Sequence, residues 1–457
     1  MKGRTAQIPR AKRPDVPPGT GPQAVYGARK IGLLDHMGGG NLGDDATQEA
    51  VIQNLRQRCP HAAIFGFSLN PDDTRTRHGI PSFAIRTRTW TLGADATTTE
   101  RRLKHKVKSA ARAVPSLFWA LKALHTVLLK APRGFCRELF FLVKSFGIIR
   151  SFDLLIINGG GQLTESWGGA WGFPYTIYKW TVLAKLARIQ RIFLNVGAGP
   201  LTGRLSKYFV RKALRSANYV SFRDAHSEAL AQQIGFKGTS HVFPDCAYGL
   251  HIPVFHAGPA PKERAPIVGF APMAYRDPRV DPKNDPSAYR DFIQVLGLFG
   301  SWLIAQGYSL RLFCSDIGVD PPVIEDLEAF LRTRNSVHGS YSSSANSVSS
   351  TSELLRTMSS MDYVVTCRFH GVVFAHMLNK PVLAISHHPK VATMMDNLGL
   401  SKYCVDIQTR DVKVLADAFT SLVNDQGEIK RRMKEHLASY KRELAMQFDG
   451  LFIPHTR

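Results

Sequence analysis

The 457-residue chain is short of acid. Thirty-six Asp and Glu stand against fifty-nine Lys and Arg, which leaves a formal charge of +23 and a pI near 9.9. A surface of that sign disfavours basic partners and favours anionic ones: nucleic acid, anionic lipid, or phosphorylated and carboxylated small molecules. Cysteine is scarce as well. The six present (Cys59, Cys136, Cys246, Cys314, Cys367 and Cys404) are scattered, with no CxxC pair and no Cys/His spacing that suits zinc. No metal site is expected, a disulfide framework does not suit this length, and a reducing, cytoplasmic setting fits best. Long apolar runs are missing: none reaches the ~18–20 residues needed to span a bilayer. Residues 1–28 carry Lys, Arg, Pro and Gly without the apolar stretch of a signal peptide, and are expected to form a disordered basic tail. No RNP, KH or zinc-knuckle pattern supports RNA among the anionic partners.

What is present is an ordinary globular balance, 44% hydrophobic and 21% charged, in a chain long enough for two or three domains. Its rhythm is that of parallel sheets: a short apolar strand, a small-residue loop, then an amphipathic helix. Strands are predicted over Lys30–Asp35, Ala63–Ser68, Asp153–Asn158, Arg191–Val196, Ala217–Phe222 and His241–Phe243, with a helix over Ala46–Arg58. Together they make a first Rossmann-like lobe, 29–250. The Pro-rich stretch 251–265 reads as a linker. A second lobe, 266–457, repeats the rhythm with strands Ile267–Ala271, Ser309–Cys314, Tyr363–Thr366 and, last, Val382–Ser386. Its predicted helices are Tyr289–Gln306, Val323–Thr333, Ser352–Ser360 (capped by Ser352) and His370–Leu378, and the Ser-rich Asn335–Thr351 reads as a loop. The expected fold is therefore α/β, two Rossmann-like lobes facing an interlobe cleft. In open α/β sheets ligands sit beyond the carboxyl ends of the strands.

One stretch breaks the rhythm. Residues 101–150 hold twelve Lys/Arg and a single acid, Glu138, interleaved with Leu117, Phe118, Trp119, Phe135, Phe140 and Phe146. Beside RNA binding, for which no motif speaks, this basic helical insertion in the first lobe has two readings. It is either a peripheral contact with anionic lipid at the inner membrane face, or a helix pair packed on the lobe with its charges solvated.

The residues fit for chemistry stand at strand ends. In Thr366-Cys367-Arg368-Phe369-His370-Gly371 a strand stops and a helix starts. A helix N-terminus welcomes an anion, Arg offers a planar fork, and His transfers protons near neutral pH. Arg223, in Ser221-Phe222-Arg223-Asp224, repeats the pattern in the first lobe. Either arginine can instead be structural, Arg223 through Asp224 or Asp245, and His370 can be a hydrogen-bonded core residue. The loop holding Gly40 and Asn41 is neither G-x-G-x-x-G nor a phosphate-binding loop ending in Lys-Ser/Thr. Its glycines serve tight turns or the close approach of a ligand, with Asp44 or Asp45 accepting a hydroxyl proton. Asn158, ahead of Gly159-Gly160-Gly161, is placed to orient a sugar or phosphate oxygen.

As an ordered set, Gly-Asn-Leu-Gly-Asp at 40–44, Ile-Asn-Gly-Gly-Gly at 157–161, Ser-Phe-Arg-Asp at 221–224, Pro-Asp at 244–245, Cys-Arg-Phe-His-Gly at 367–371, Lys-Pro-Val-Leu-Ala-Ile at 380–385 and His-Pro-Lys-Val at 388–391 resemble the polysaccharide pyruvyl transferase family. The resemblance implies a GT-B-like fold and transfer of pyruvate from phosphoenolpyruvate to a saccharide as a cyclic ketal, in polysaccharide or glycolipid biosynthesis. No cofactor is implied. Arg223, Arg368 and His370 match the family's donor-binding positions, with Gly159 and Gly160 beside them; Asp245 and Lys390 lie in adjoining loops with Gly40, Asn41 and Asn158. His370 is expected as general acid or phosphate partner, Arg223 and Arg368 as a charge clamp. Two departures stand out: His387-His388, where the family more often has another polar pair, and the long basic insertion. If that insertion rests on lipid, the acceptor is a lipid-linked saccharide. Competing readings are a GT-B glycosyltransferase that uses a nucleotide sugar, and a catalytically silent relative that binds polysaccharide or membrane.

Overall fold

The computed structural model describes residues 27–35, 38–87, 131–253, 255, 264–282, 284–334, 341–343 and 348–453. Seven parallel strands form the first sheet: β1 (Lys30–Leu34), β2 (Ala63–Ser68), β3 (Ser82–Ala84), β4 (Leu154–Asn158), β5 (Gln190–Val196), β6 (Tyr219–Phe222) and β7 (His241–Val242), in the order β3-β2-β1-β4-β5-β6-β7. β4 shows why the pairing is parallel. Leu154 and Ile156 enter one core and Leu155 and Ile157 the other, so the run is apolar on both faces.

The crossovers of this lobe are α1 (Leu42–Arg58), α2 (Pro71–His78), α3 (Ala131–Ile149), α4 (Phe173–Leu186), α5 (Arg204–Arg215) and α6 (Ala225–Gln233). Phe141 and Phe146 of α3, Ile177 and Trp180 of α4, and Val210 and Ala213 of α5 pack on one face of the sheet. The second sheet is also parallel: β8 (Ile267–Ala271), β9 (Ser309–Leu312), β10 (Tyr341–Ser343), β11 (Tyr363–Thr366), β12 (Val382–Ser386) and β13 (Cys404–Asp406), ordered β10-β9-β8-β11-β12-β13. Its helices are α7 (Pro286–Ala305), α8 (Pro321–Arg334), α9 (Thr351–Ser359), α10 (Phe369–Met377), α11 (Pro389–Asn397), α12 (Val412–Asn424) and α13 (Gln426–Phe452). Each sheet reverses its winding once, between β1 and β4 and between β8 and β11, and such switch points open a crevice at the strands' carboxyl ends.

The lobes meet through α1. Asn41 accepts a hydrogen bond from Gly43 N at 3.0 Å and starts the helix four residues earlier than the pattern of apolar residues suggested. Asp44 and Asp45 therefore sit in its first turn, next to the positive end of the helix dipole. Leu42, Ala46 and Ala50 belong to the core of the second lobe, while Val51, Ile52 and Leu55 pack on the first sheet. Leu42 N donates to Ser315 O at 2.9 Å and Ile317 N to Gly40 O at 2.9 Å. Gly40, with φ +82°, lies so close to Gly318 that a Cβ would stand 2.9 Å from its nitrogen.

The chain end returns to the first lobe. At about 1.5 Å per residue a helix of 27 residues reaches about 40 Å. Ile429, Met433 and Leu444 of α13 pack in the second lobe, and Phe448, Leu451 and Phe452 against the first sheet. Gln447 donates to Asn195 Oδ1 at 2.8 Å and to Ser221 Oγ at 3.0 Å, and accepts from Asn195 Nδ2 at 2.9 Å. The stretch 266–457 thus does not form one lobe alone, because α13 spans both.

Other differences are local. β3, α2, β10 and β13 escaped the sequence reading because each is short, and Tyr341–Ser343 turns part of the Ser-rich loop into an edge strand. Ser350 rather than Ser352 caps α9. Of the basic insertion, 131–149 is helical and 101–130 lies outside the described residues, as do 1–26 of the tail and most of the linker. Among the described residues no helix is long and apolar enough to cross a membrane. Removing the buried amide with Gln447→Ala should leave Asn195 and Ser221 short of partners and cost about 1–3 kcal/mol. A urea denaturation midpoint equal to the parent's would show that this tie is not needed.

Candidate active site

Five strand-end segments converge where the lobes face each other: the first turn of α1, the β6–α6 turn with Arg223, the end of β7 with Asp245, and the β11–α10 and β12–α11 turns. His370, in the first turn of α10, lies against α1. A Cβ on Gly43 would stand 2.1 Å from its ring, so only glycine permits this approach. Nε2 of His370 is 3.5 Å from Thr47 Oγ1, and the same hydroxyl is 3.3 Å from Asp245 Oδ1. Burial holds His370 below its ordinary pKa; Asp245 and Asp44 oppose this, and Arg223 and Lys390 add to it. The imidazole is therefore neutral near pH 7, and an arriving anion would favour its protonation.

The two arginines do not make equal cations. Arg368 forms a fork on buried Asp320, with Nε to Oδ2 at 2.8 Å and Nη2 to Oδ1 at 2.5 Å, and Nη1 is 3.1 Å from Asp316 Oδ2. Against its own burial, Asp320 and Asp316 hold its pKa above the ordinary range. Its charge is largely spent within the protein, and the clamp of Arg223 with Arg368 is corrected to that extent. Arg368 also caps α10 without a side-chain hydrogen bond, which leaves first-turn N–H groups to an incoming acceptor.

Arg223 crosses toward the other lobe. Its guanidinium lies over the ring of Phe369 at 4.5 Å and pairs with Asp245 at 3.1 Å, while its Nε, without a hydrogen bond, lies 3.6 Å from Asp224 Oδ2. Lys390 is the less engaged cation. Its ammonium makes no hydrogen bond or ion pair among the described residues and lies 6.0 Å from the Phe369 ring. Burial, then Arg223 and Arg368, push its pKa down to about 8 against Asp44 and Asp224. His387 and His388 beside it are pushed down to about 4, by burial first and then by Lys390. Burial first, and then the crowding of several basic groups, thus hold these charges down together.

The remaining expected residues separate. Asp44 remains in the cluster, close enough to bear on Arg368, His370 and Lys390. Asp45 turns away to Arg77 at 3.5 Å and His78 at 3.9 Å, where burial pushes its carboxyl up to about 7, and it does not face the reacting groups. Asn158 is fully buried, donating to Gln48 Oε1 at 2.7 Å and accepting from Gly159 N at 2.8 Å, so it ties α1 to β4 rather than meeting a sugar. Gly159 and Gly160 are buried too. A Cβ on Gly159 would meet Thr47, and Gly160 O accepts from Gly197 N at 2.7 Å, so both shape the wall beside α1 and β5. Gly40 and Asn41 serve the lobe contact and the α1 cap. Thr47, Asp316, Asp320 and the pair His387-His388 were not among the expected site residues. Asp316 and Asp320 stand just past β9, and only the fold brings them to the strand-end arginine. Nothing in the sequence marks Thr47.

Comparison with known proteins bears on both fold and family. The S. aureus MnaA–UDP complex is 10% identical, covers 92% of this chain and 94% of its own, and gives a TM-score of 0.53. UDP-GlcNAc 2-epimerase from Methanocaldococcus jannaschii is 9% identical, with coverage of 86% and 93% and a TM-score of 0.53. Anabaena HepE, in complex with UDP and glucose, is 13% identical, with coverage of 92% and 97% and a TM-score of 0.53. At these identities the likeness is one of fold, a two-lobed GT-B-like α/β architecture. No curated protein sequence matches the chain. The family profile for polysaccharide pyruvyl transferase matches residues 41–389, from the cap of α1 to the first residue of α11. That span takes in every strand-end segment of the site, and the chain belongs to the polysaccharide pyruvyl transferase family.

Proposed function

We propose that the protein moves pyruvate from phosphoenolpyruvate onto two hydroxyls of a saccharide, forming a cyclic ketal and releasing phosphate. The observation that carries this reading is Lys390: a half-buried ammonium without an ion pair, set among Arg223, His370 and the uncapped start of α10. Phosphoenolpyruvate brings a carboxylate and a phosphate, and this arrangement offers both a point charge and a fork across the lobes. Lys390 and the α10 N-terminus hold one anionic group; Arg223, stacked on Phe369, holds the other.

Chemistry then needs three proton movements. His370, protonated once the donor's charge arrives, gives a proton to the methylene carbon. Asp44 accepts the proton of the first sugar hydroxyl as its oxygen bonds to the central carbon. The second hydroxyl then displaces phosphate, and its proton leaves with the departing group. Thr47 and Asp245 orient the imidazole throughout. No step calls for a cofactor.

Phosphate release from phosphoenolpyruvate, measured against a panel of diol-bearing saccharides, tests the reading. Nucleotide release from a sugar nucleotide, with phosphoenolpyruvate untouched, would favour a glycosyltransferase. Binding of phosphoenolpyruvate without turnover on any acceptor would favour a silent relative. His370→Gln should lower kcat by about 10²–10⁴-fold with an unchanged unfolding midpoint. Because Lys390 must be charged to bind the donor, kcat/KM should fall as pH rises through about 8. Lys390→Arg should carry that fall to higher pH; a limb that stays put would remove Lys390 from donor binding.

A further inference from the structure

Nine of the thirteen large apolar side chains exposed among the described residues lie on a single part of the molecule, the α3–α4–α5 layer with the one-turn helix Gly169–Trp171 and the loop leading into it. Phe135 is 69% exposed, Phe140 72% and Trp171 68%, and Val143, Leu205 and Tyr208 accompany them. The second lobe, by contrast, exposes Val280 and Val414 before α13. These helices already bury an inward face, with Phe141 and Phe146 on α3 and Val210 and Ala213 on α5, so the outward residues are not a core that points the wrong way. The layer is continuous: α3 packs on α4, α4 on α5, and the one-turn helix on both α4 and α5.

Charge tells what suits this surface. Residues 131–215 carry thirteen Lys/Arg and three acids. Glu138 is engaged by Lys179 at 2.8 Å, Glu165 by the backbone of Thr202 at 2.7 Å, and Asp153 by the backbone of Arg29 at 2.7 Å. Arg137 and Lys144 on α3, and Arg204 and Lys212 on α5, stand exposed beside the apolar residues. A contact with another protein of ordinary composition would not call for so uniform a sign. Exposed aromatics interleaved with cations are the composition that enters the headgroup region of an anionic bilayer, the rings settling among the lipids and the cations meeting the phosphates.

We propose that the outward side of the α3–α5 layer docks the protein on an anionic membrane surface. The docking is independent of the donor: it needs neither Lys390 nor His370, and it is read without turnover. Full-length protein should co-sediment with mixed phosphatidylglycerol–phosphatidylcholine vesicles, far less with phosphatidylcholine alone, and less as salt rises. Phe140→Ser with Trp171→Ser, and separately Arg204→Glu with Lys212→Glu, should each weaken that binding by about tenfold or more. Both double variants should keep the parental urea midpoint and rate of phosphate release on a soluble acceptor. Parental indifference to phosphatidylglycerol would overturn the proposal. So would double variants that bind vesicles as the parent does, which would place the attraction elsewhere, as in 101–130. A shift only in the mass of the protein in solution would do the same, making the layer a contact with a second copy of the chain.

Discussion

The approach of Gly43 to the ring of His370 is the contact on which the rest of the site depends. It exists because α1 is buried by both lobes and carries no side chain at the point of closest passage. From that contact the other geometry follows. Thr47, one turn on, reaches both His370 and Asp245; Asp245 in turn holds Arg223; and Arg223 lies on Phe369, the neighbour of His370 in the chain. A loop of interactions thus leaves one lobe, enters the other and returns, so the two halves of the site cannot be adjusted separately.

Electrostatics divides the cations by task. A buried arginine with a forked aspartate costs its desolvation and leaves little charge for a ligand, so Arg368 with Asp320 reads as the pin that fixes the β11–α10 turn. Lys390 lacks such a partner among the described residues, and burial first, then the repulsion of Arg223 and Arg368, lower its pKa. An anion placed among these groups would meet a field of positive charge already in position.

Much of this architecture was legible in the residues. The apolar runs at β1, β4, β5, β8, β11 and β12 identify parallel strands because each is buried on both faces, and strand-end placement picked out Arg223 and His370. What escaped reading has physical reasons. Asn41 moved the start of α1, because a cap outweighs an apolar pattern that begins four residues later. Asp45 was indistinguishable from Asp44 in sequence, but adjacent helical residues point about 100° apart, one to the site and the other to Arg77. The pairing of Arg368 depends on Asp316 and Asp320, some fifty residues away, and no local rule reports it.

The long final helix carries a consequence for how the protein comes to be. Phe448, Leu451 and Phe452 cover a sheet whose first strand begins at Lys30, and Gln447 completes hydrogen bonds for Asn195 and Ser221. During synthesis, which runs from the N-terminus, the first lobe emerges with that face of its sheet covered by α1 alone, and the part under α13 must wait for nearly the whole chain. The order of folding is therefore not the order of translation. The lobe made first is finished last, and a chain cut short near its end loses the cover of a sheet built hundreds of residues earlier.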